Sequence, residues 1–165
     1  MALELRPACV LDLPSIYRGE QDYIRCWEPD HEAAWRLQLE KHLTRWVENF
    51  DRLIIATMDG QFAGYALWMP EQDCAELCTI NVAEAFRRKG IGQMLLEDYV
   101  TTARRQGFSL LGLSVRGDNP ARLMYEKAGF VRVGNDAHGY IRYQRLGWLA
   151  SGLVIAWPNR GAPVE

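Results

Sequence analysis

The chain has 165 residues, 48% of them hydrophobic and 24% charged, with a formal net charge of −2. That length buries a real core in one domain, and the slightly acidic balance excludes a general nucleic-acid binder, which would be basic. The longest apolar stretch, "GWLASGLVIAW" near the C-terminus, is too short for a bilayer, which takes about 20 residues. The opening "MALELRPACVLDLPS" has no basic, then apolar, then small-residue leader pattern. Cys9, Cys26, Cys74 and Cys78 show no C-x-x-C spacing and no grouping with histidines. The expectation is therefore reduced thiols in a cytoplasmic protein with no metal and no membrane partner.

In chain order, "LELRPA" at 3–8 reads as a short strand. Asp12 is placed to cap a helix running to about Cys26, and Pro29-Asp30 breaks the chain. A second helix carries an apolar stripe of Trp35, Leu39, Leu43, Trp46, Val47 and Phe50. "RLIIATM" and "QFAGYALWM" are strands around Asp59-Gly60, a strong hairpin signal. "AELCTINVA" is a third strand. A helix over Ile91, Leu95, Leu96, Tyr99, Val100 and Ala103 ends at Gly107. "LLGLSV" is a buried-looking strand, a short helix runs from Pro120 to Ala128, and "FVRVG" with "GYIRYQRL" forms a hairpin. This order gives an α/β (α+β) mixed sheet flanked by helices.

The chemistry concentrates at residues 80–100, "INVAEAFRRKGIGQMLLEDYV". A strand ends at Val82, three cations follow (Arg87, Arg88, Lys89), then Gly90 and Gly92, and a helix starts at once. The first amides of a helix lack intrahelical acceptors and sit at the positive end of its dipole, which makes an anion site. Glycine lets a phosphate approach bare backbone. The segment lacks the Gly-Lys-Ser/Thr ending of a P-loop, and Leu95 stands where a dinucleotide fingerprint has its third glycine. From these residues alone, a phosphate site and a tight strand-to-helix turn remain equally open.

The longer pattern Arg87-x-x-Gly90-x-Gly92 resembles the acetyl-CoA pyrophosphate loop of GNAT-family N-acetyltransferases. A second block, "LSVRGDNPARLMYEKAGFVRVG", resembles that family's next motif. The resemblance spans about residues 2–146 and implies one domain over 1–146. It also implies a bent, mostly antiparallel sheet whose splayed central strands admit the cofactor. The tail 147–165 then reads as an extension packed on or beside that domain, its apolar "LVIAW" compatible with a homodimer.

Carried over by position, the resemblance lays the pantetheine arm along Ile80, Asn81 and Val82. It sets the pyrophosphate on the amides of Arg88, Lys89, Gly90, Ile91 and Gly92, with Arg87 adding charge. Asn119 matches a cofactor-contacting position and is equally an N-cap before Pro120. Tyr125 is the expected general acid, since a phenol is protonated at neutral pH and can return a proton to the CoA thiolate. Spacing alone also allows Tyr125 to be core, on a stripe with Ala121, Met124 and Ala128. Glu76 is the candidate base, acting through water, or else a plain strand-edge carboxylate. Some protein-acetylating relatives carry a Glu where this chain has Ser114.

The resemblance implies an acceptor pocket built by the first two helices, their connecting loop and the last hairpin, with Trp68 and Met69 at a strand end as further lining or core. Around that loop, Tyr23, Trp27 and Trp35 offer an apolar wall, and Glu28, Asp30 and Glu32 offer negative charge, unless these acids serve only a solvated first turn. The expected activity is transfer of an acetyl group from acetyl-CoA to a primary amine of a small molecule or peptide. The alternative is a non-catalytic acyl-CoA-binding module.

Overall fold

The computed structural model describes residues 2–147. The expected C-terminal extension, apart from Gly147, lies outside the described residues. The strands are β1 (Leu3–Pro7), β2 (Leu53–Met58), β3 (Gln61–Glu71), β4 (Cys74–Val82), β5 (Leu110–Val115), β6 (Val131–Asn135) and β7 (Ile141–Leu146). The helices are α1 (Leu13–Trp27), α2 (Glu32–Arg36), α3 (Leu39–Glu48), α4 (Ile91–Arg105) and α5 (Ala121–Lys127). Hydrogen bonding orders the strands β1-β2-β3-β4-β5-β7-β6 in one mixed sheet. The described chain forms two compact units, with β4 and α4 contributing to both. The first holds residues up to Met69 and Cys78–Leu96, the second Pro70–Leu77 and the chain from Glu97.

In the first unit, β2 is apolar at nearly every position and buried throughout, as suits a strand with neighbours on both sides. It runs antiparallel to β1, from Leu3 opposite Met58 to Pro7 opposite Ile54. Asp59 and Gly60 take φ of 50° and 79°, the left-handed pair that matches strand twist in a two-residue hairpin. Ile16, Trp46, Leu53, Ile55, Tyr65 and Leu67 form the core, with Tyr17, Trp35 and Leu43 packed against it.

Two expectations for this unit change. Asp12 stands at the N-cap position of α1 but makes no side-chain cap bond. Its carboxylate instead receives both terminal nitrogens of Arg6 at 2.8 Å and the Cys9 N–H at 2.8 Å. The stripe from Trp35 to Phe50 is also not one helix: α2 stops at Arg36 and α3 begins at Leu39. The Trp35 carbonyl accepts the Gln38 N–H at 3.1 Å, an i→i+3 closure, and the His42 Nε2–H at 2.9 Å. That tightened turn ends the α-helical ladder. The His42 ring stacks on Trp35 at 4.9 Å, so the break brings the two rings together.

In the second unit, β4 and β5 are parallel but pair over three residues only, Ala75–Leu77 against Leu111–Leu113. β4 then continues to Val82 and β5 to Val115. Tyr99 of α4 pins the paired segment: its hydroxyl donates to the Ala75 carbonyl at 2.6 Å and lies 3.3 Å from that of Gly112. Burial pushes this phenol up, so it stays a donor. β5 and β7 pair along their full length, and β6 and β7 form the expected hairpin. Gly129, at φ 90°, ends α5 in the left-handed conformation that favours glycine.

Candidate active site

The candidate residues fall into two sets, one in each unit. The first is the tail of β4, the basic turn and the start of α4. The Ala83 N–H bonds the Ala63 carbonyl at 2.8 Å, which holds the strand end, and Glu84–Phe86 make one 3-10 turn. Arg87 folds back so that its Nε donates to the Val82 carbonyl at 3.1 Å. Arg88 takes φ 62° and Gly90 φ 78°. A non-glycine residue in that region costs on the order of 1–3 kcal/mol and is found where surrounding structure enforces it.

A Cβ built on Gly90 would meet nothing within 4 Å. The space over this backbone is therefore open, as a docking phosphate requires. The helical ladder begins with Met94 N–H on the Gly90 carbonyl at 3.1 Å, so the amides of Ile91, Gly92 and Gln93 precede it. Buried Ile91 anchors that end, while Arg87, Arg88, Lys89 and Gly90 are exposed. Backbone amides, a helix dipole and three exposed cations thus share one turn, which fits a pyrophosphate.

On β4 itself the alternation of side chains separates Ile80 and Val82 from Thr79 and Asn81. Asn81 Nδ2 donates to the Gly19 carbonyl of α1 at 2.9 Å. Beside it, the Tyr65 hydroxyl donates to Glu20 Oε1 at 3.2 Å, and the Thr79 side chain hydrogen-bonds the same carboxylate. Two glycines allow this approach. A Cβ on Gly19 would lie 2.6 Å from the Tyr65 ring, and one on Gly64 would lie 2.6 Å from the Asn81 carbonyl oxygen. Burial raises the Glu20 carboxyl above its ordinary range, opposed by the bonds from Thr79 and Tyr65. Burial, then the Glu20 charge, raises the Tyr65 phenol well above its own.

The acceptor-wall residues are also in this unit. Trp35 is half-buried in a stack, with ring centroids 4.9 Å from both Tyr17 and His42. Trp27 and Glu28 are half-buried at the end of α1. The Glu28 carbonyl accepts the His31 N–H at 2.9 Å, and its carboxylate lies 3.9 Å from the His31 ring. Glu32 is bonded by Arg25 at 2.6 Å and Gln21 at 3.3 Å. Trp68 is fully buried under the Arg52 guanidinium, 5.7 Å from its ring centre.

The second set is in the other unit. Arg142 of β7 clasps Glu76 of β4 with two nitrogens, Nη1 on Oε1 and Nη2 on Oε2, the latter at 2.6 Å. Ser114 Oγ lies 3.4 Å from the same guanidinium. Gly112 makes the room, since a Cβ there would collide with Arg142 and lie 3.1 Å from Glu76 Oε2. Asn119 caps α5: its Oδ1 receives the Ala121 N–H at 2.9 Å. Asp118 does not share that cap and pairs with Arg116 at 3.1 Å. Tyr125 is buried on α5, edge-on to Phe130 at 6.4 Å.

Sequence reasoning passed over Glu20, Tyr65, Thr79 and Arg142. The signal for Glu20 was present: it falls between Ile16 and Ile24 at four-residue intervals, a carboxylate on the buried stripe of α1. Arg142 had no such local signal. Among the described residues, no group of His, Cys, Asp or Glu is placed to hold a metal ion, and no helix is long and apolar enough to cross a membrane.

Comparison with known proteins identifies the family. The model of the acetyltransferase (GNAT) family matches residues 16–130. A [ribosomal protein bS18]-alanine N-acetyltransferase of Salmonella typhimurium is 33% identical over 110 residues, 61% of this chain and 74% of that protein. Its namesake in Haemophilus influenzae is 28% identical over 113 residues, 63% of this chain and 77% of that one. In fold, the PaiA N-acetyltransferase of Thermoplasma acidophilum, solved with coenzyme A, superposes with a TM-score of 0.76. It shares 20% identity, over 88% of this chain and 99% of that one. The chain therefore belongs to the acetyltransferase (GNAT) family, and it is an N-acetyltransferase that uses acetyl-CoA as its acetyl donor.

Proposed function

We propose that the acceptor is the N-terminal amine of a protein that begins with alanine, and that the acetyl group passes to it directly, in the cytoplasm. The observation that carries this reading is the pair of relatives named for alanine acetylation on ribosomal protein bS18, each matched over about three-quarters of its length. In this reading Arg87, Arg88 and Lys89 draw in the pyrophosphate, and the amides from Arg88 to Gly92 hold it. The main chain of Ile80, Asn81 and Val82 receives the pantetheine arm. Asn119 keeps its side-chain oxygen on the α5 cap and offers its side-chain Nδ2–H to the cofactor. Tyr125 donates the proton that turns the departing thiolate into a thiol.

Glu76 takes a different part from the one its strand position suggests. Both of its oxygens already accept from Arg142. The guanidinium pairs the carboxylate's charge through both oxygens and ties it to β7, so we assign the pair a positioning role. It fixes β7 against β4 where the parallel pairing to β5 runs. Trp27, Glu28 and Trp35 border the acceptor, Trp35 held in its stack with Tyr17 and His42.

The test is thiol release from acetyl-CoA with a peptide panel that varies the first residue, alongside small amines. Alanine-initiated peptides are expected to give the highest kcat/KM. Turnover confined to small amines, or no preference at the first residue, would remove the alanine reading.

A further inference from the structure

An α-amino group is largely protonated at pH 7, and only the neutral amine attacks a thioester. A carboxylate that can hold the ammonium and take its proton is therefore valuable to the reaction. Ser114 supplies no acid, Glu76 is clasped by Arg142, and Glu32 is held by Arg25. Glu20 is different. It sits on the buried stripe of α1, fixed by two neutral hydroxyl donors, Tyr65 and Thr79. Thr79 immediately precedes the β4 segment assigned to the pantetheine arm, and Asn81, two residues on, ties that segment to Gly19. The charges acting on Glu20 are those of Arg45 and His42, and Asp22 acts on Tyr65.

We propose that Glu20 binds the acceptor's ammonium and removes its proton; this rests on the assignment of the chain as an amine acetyltransferase, not on the choice of alanine. The ammonium gives one proton to the Glu20 carboxylate, and the freed nitrogen lone pair forms the C–N bond to the acetyl carbonyl carbon. The C–S electrons leave on sulfur, which is protonated to the thiol. The second nitrogen proton replaces the one that sulfur takes up, and Glu20 passes its proton to solvent. Ammonium and thioester thus become amide, thiol and one released proton. The raised carboxyl of Glu20 suits a base working nearer neutrality than an exposed glutamate.

Its raised value also gives a stability signature. A carboxyl raised by folding contributes stability that is fully present below the ordinary glutamate range and is lost as pH rises through the raised value. Glu20→Gln removes the loss. With any peptide or amine the wild type turns over, Glu20→Gln is expected to lower kcat/KM by roughly 10²-fold or more and to flatten the acid limb of the pH profile. Calorimetry is expected to find acetyl-CoA affinity unchanged, and Tm at pH 8 equal to or above wild type. Glu20→Asp should recover part of the rate, and Glu76→Gln should leave the acid limb in place. A folded, acetyl-CoA-binding Glu20→Gln protein with wild-type kcat/KM and a parallel pH profile would overturn the proposal. So would a rate loss accompanied by lowered Tm and weakened acetyl-CoA binding, which would make Glu20 structural. Loss of rate on an amine other than an alanine peptide supports Glu20 while removing the alanine reading.

Discussion

At the scale of single residues, Tyr125 and Gly90 separate chemistry from architecture. Tyr125 is buried against Phe130, so removing the whole side chain would confuse packing with catalysis. Tyr125→Phe keeps the ring and deletes only the hydroxyl. We predict that kcat falls by roughly 10²- to 10⁴-fold, the span of general acid loss, with acetyl-CoA affinity nearly unchanged. Full activity in the folded variant would make the residue part of the core only. Gly90 presents the converse case. Nothing lies near its missing Cβ, yet its φ is 78°. Gly90→Val is expected to cost about 1–3 kcal/mol in the fold from backbone strain. It should abolish acetyl-CoA binding by calorimetry, because the branched side chain occupies the phosphate's approach. Unchanged affinity would remove the pyrophosphate from this turn.

At the scale of elements, the parallel pairing of β4 with β5 is short, and its neighbours hold it in place. Tyr99 bonds both strands from α4, and the Arg142–Glu76 clasp spans the bare face of Gly112. Gly112→Ala would push a methyl group into that clasp. The expected loss is about 1–3 kcal/mol, the range for overpacking a close contact, read as a lower midpoint in denaturant at unchanged m-value. A variant as stable as wild type would show that the clasp moves aside freely. Elements also carry the difference between the expected second helix and the observed pair α2 and α3. The apolar stripe was continuous, but the Trp35 carbonyl is taken by Gln38 and His42, and hydrogen-bond geometry overrode periodicity.

At the scale of the whole molecule, charge acts through local patches rather than through the net charge of −2. Exposed Arg87, Arg88 and Lys89 face solvent, where salt screens over roughly 8 Å at physiological ionic strength. Raising salt tenfold from a dilute buffer should weaken acetyl-CoA binding several-fold in the wild type and less in Arg88→Ala. Equal slopes would exclude Arg88 from the interaction. Stability has its own pH dependence. The Arg6 hydrogen bonds lower the carboxyl of Asp12, against the opposing effect of burial. A depressed carboxyl contributes stability above its ordinary value near 4, and that contribution is lost as pH falls through the depressed one. Asp12→Asn should therefore cost about 1–3 kcal/mol at pH 7. The gap to wild type should close toward pH 2 in denaturant titrations. A gap independent of pH would assign the cost to packing.

The sequence by itself determined the elements whose signals are local. The Asp59-Gly60 turn needs two left-handed residues and has them, β5 is a compact apolar run, and Gly107 and Gly129 end their helices because glycine accepts positive φ cheaply. The basic glycine turn before α4 was legible for the same reason: its chemistry lies in consecutive backbone and charge. Tertiary structure decided which carboxylates are occupied. Glu76 and Arg142 stand 66 residues apart, and Tyr65 meets Glu20 across 45. No spacing rule links positions so distant. A glutamate's oxygens are acceptors whose availability depends on which donor the fold brings within about 3 Å. For Glu76 that donor is a guanidinium, and for Glu20 it is a pair of hydroxyls, so two residues of one type acquire different chemistry from sheet pairing and helix packing alone.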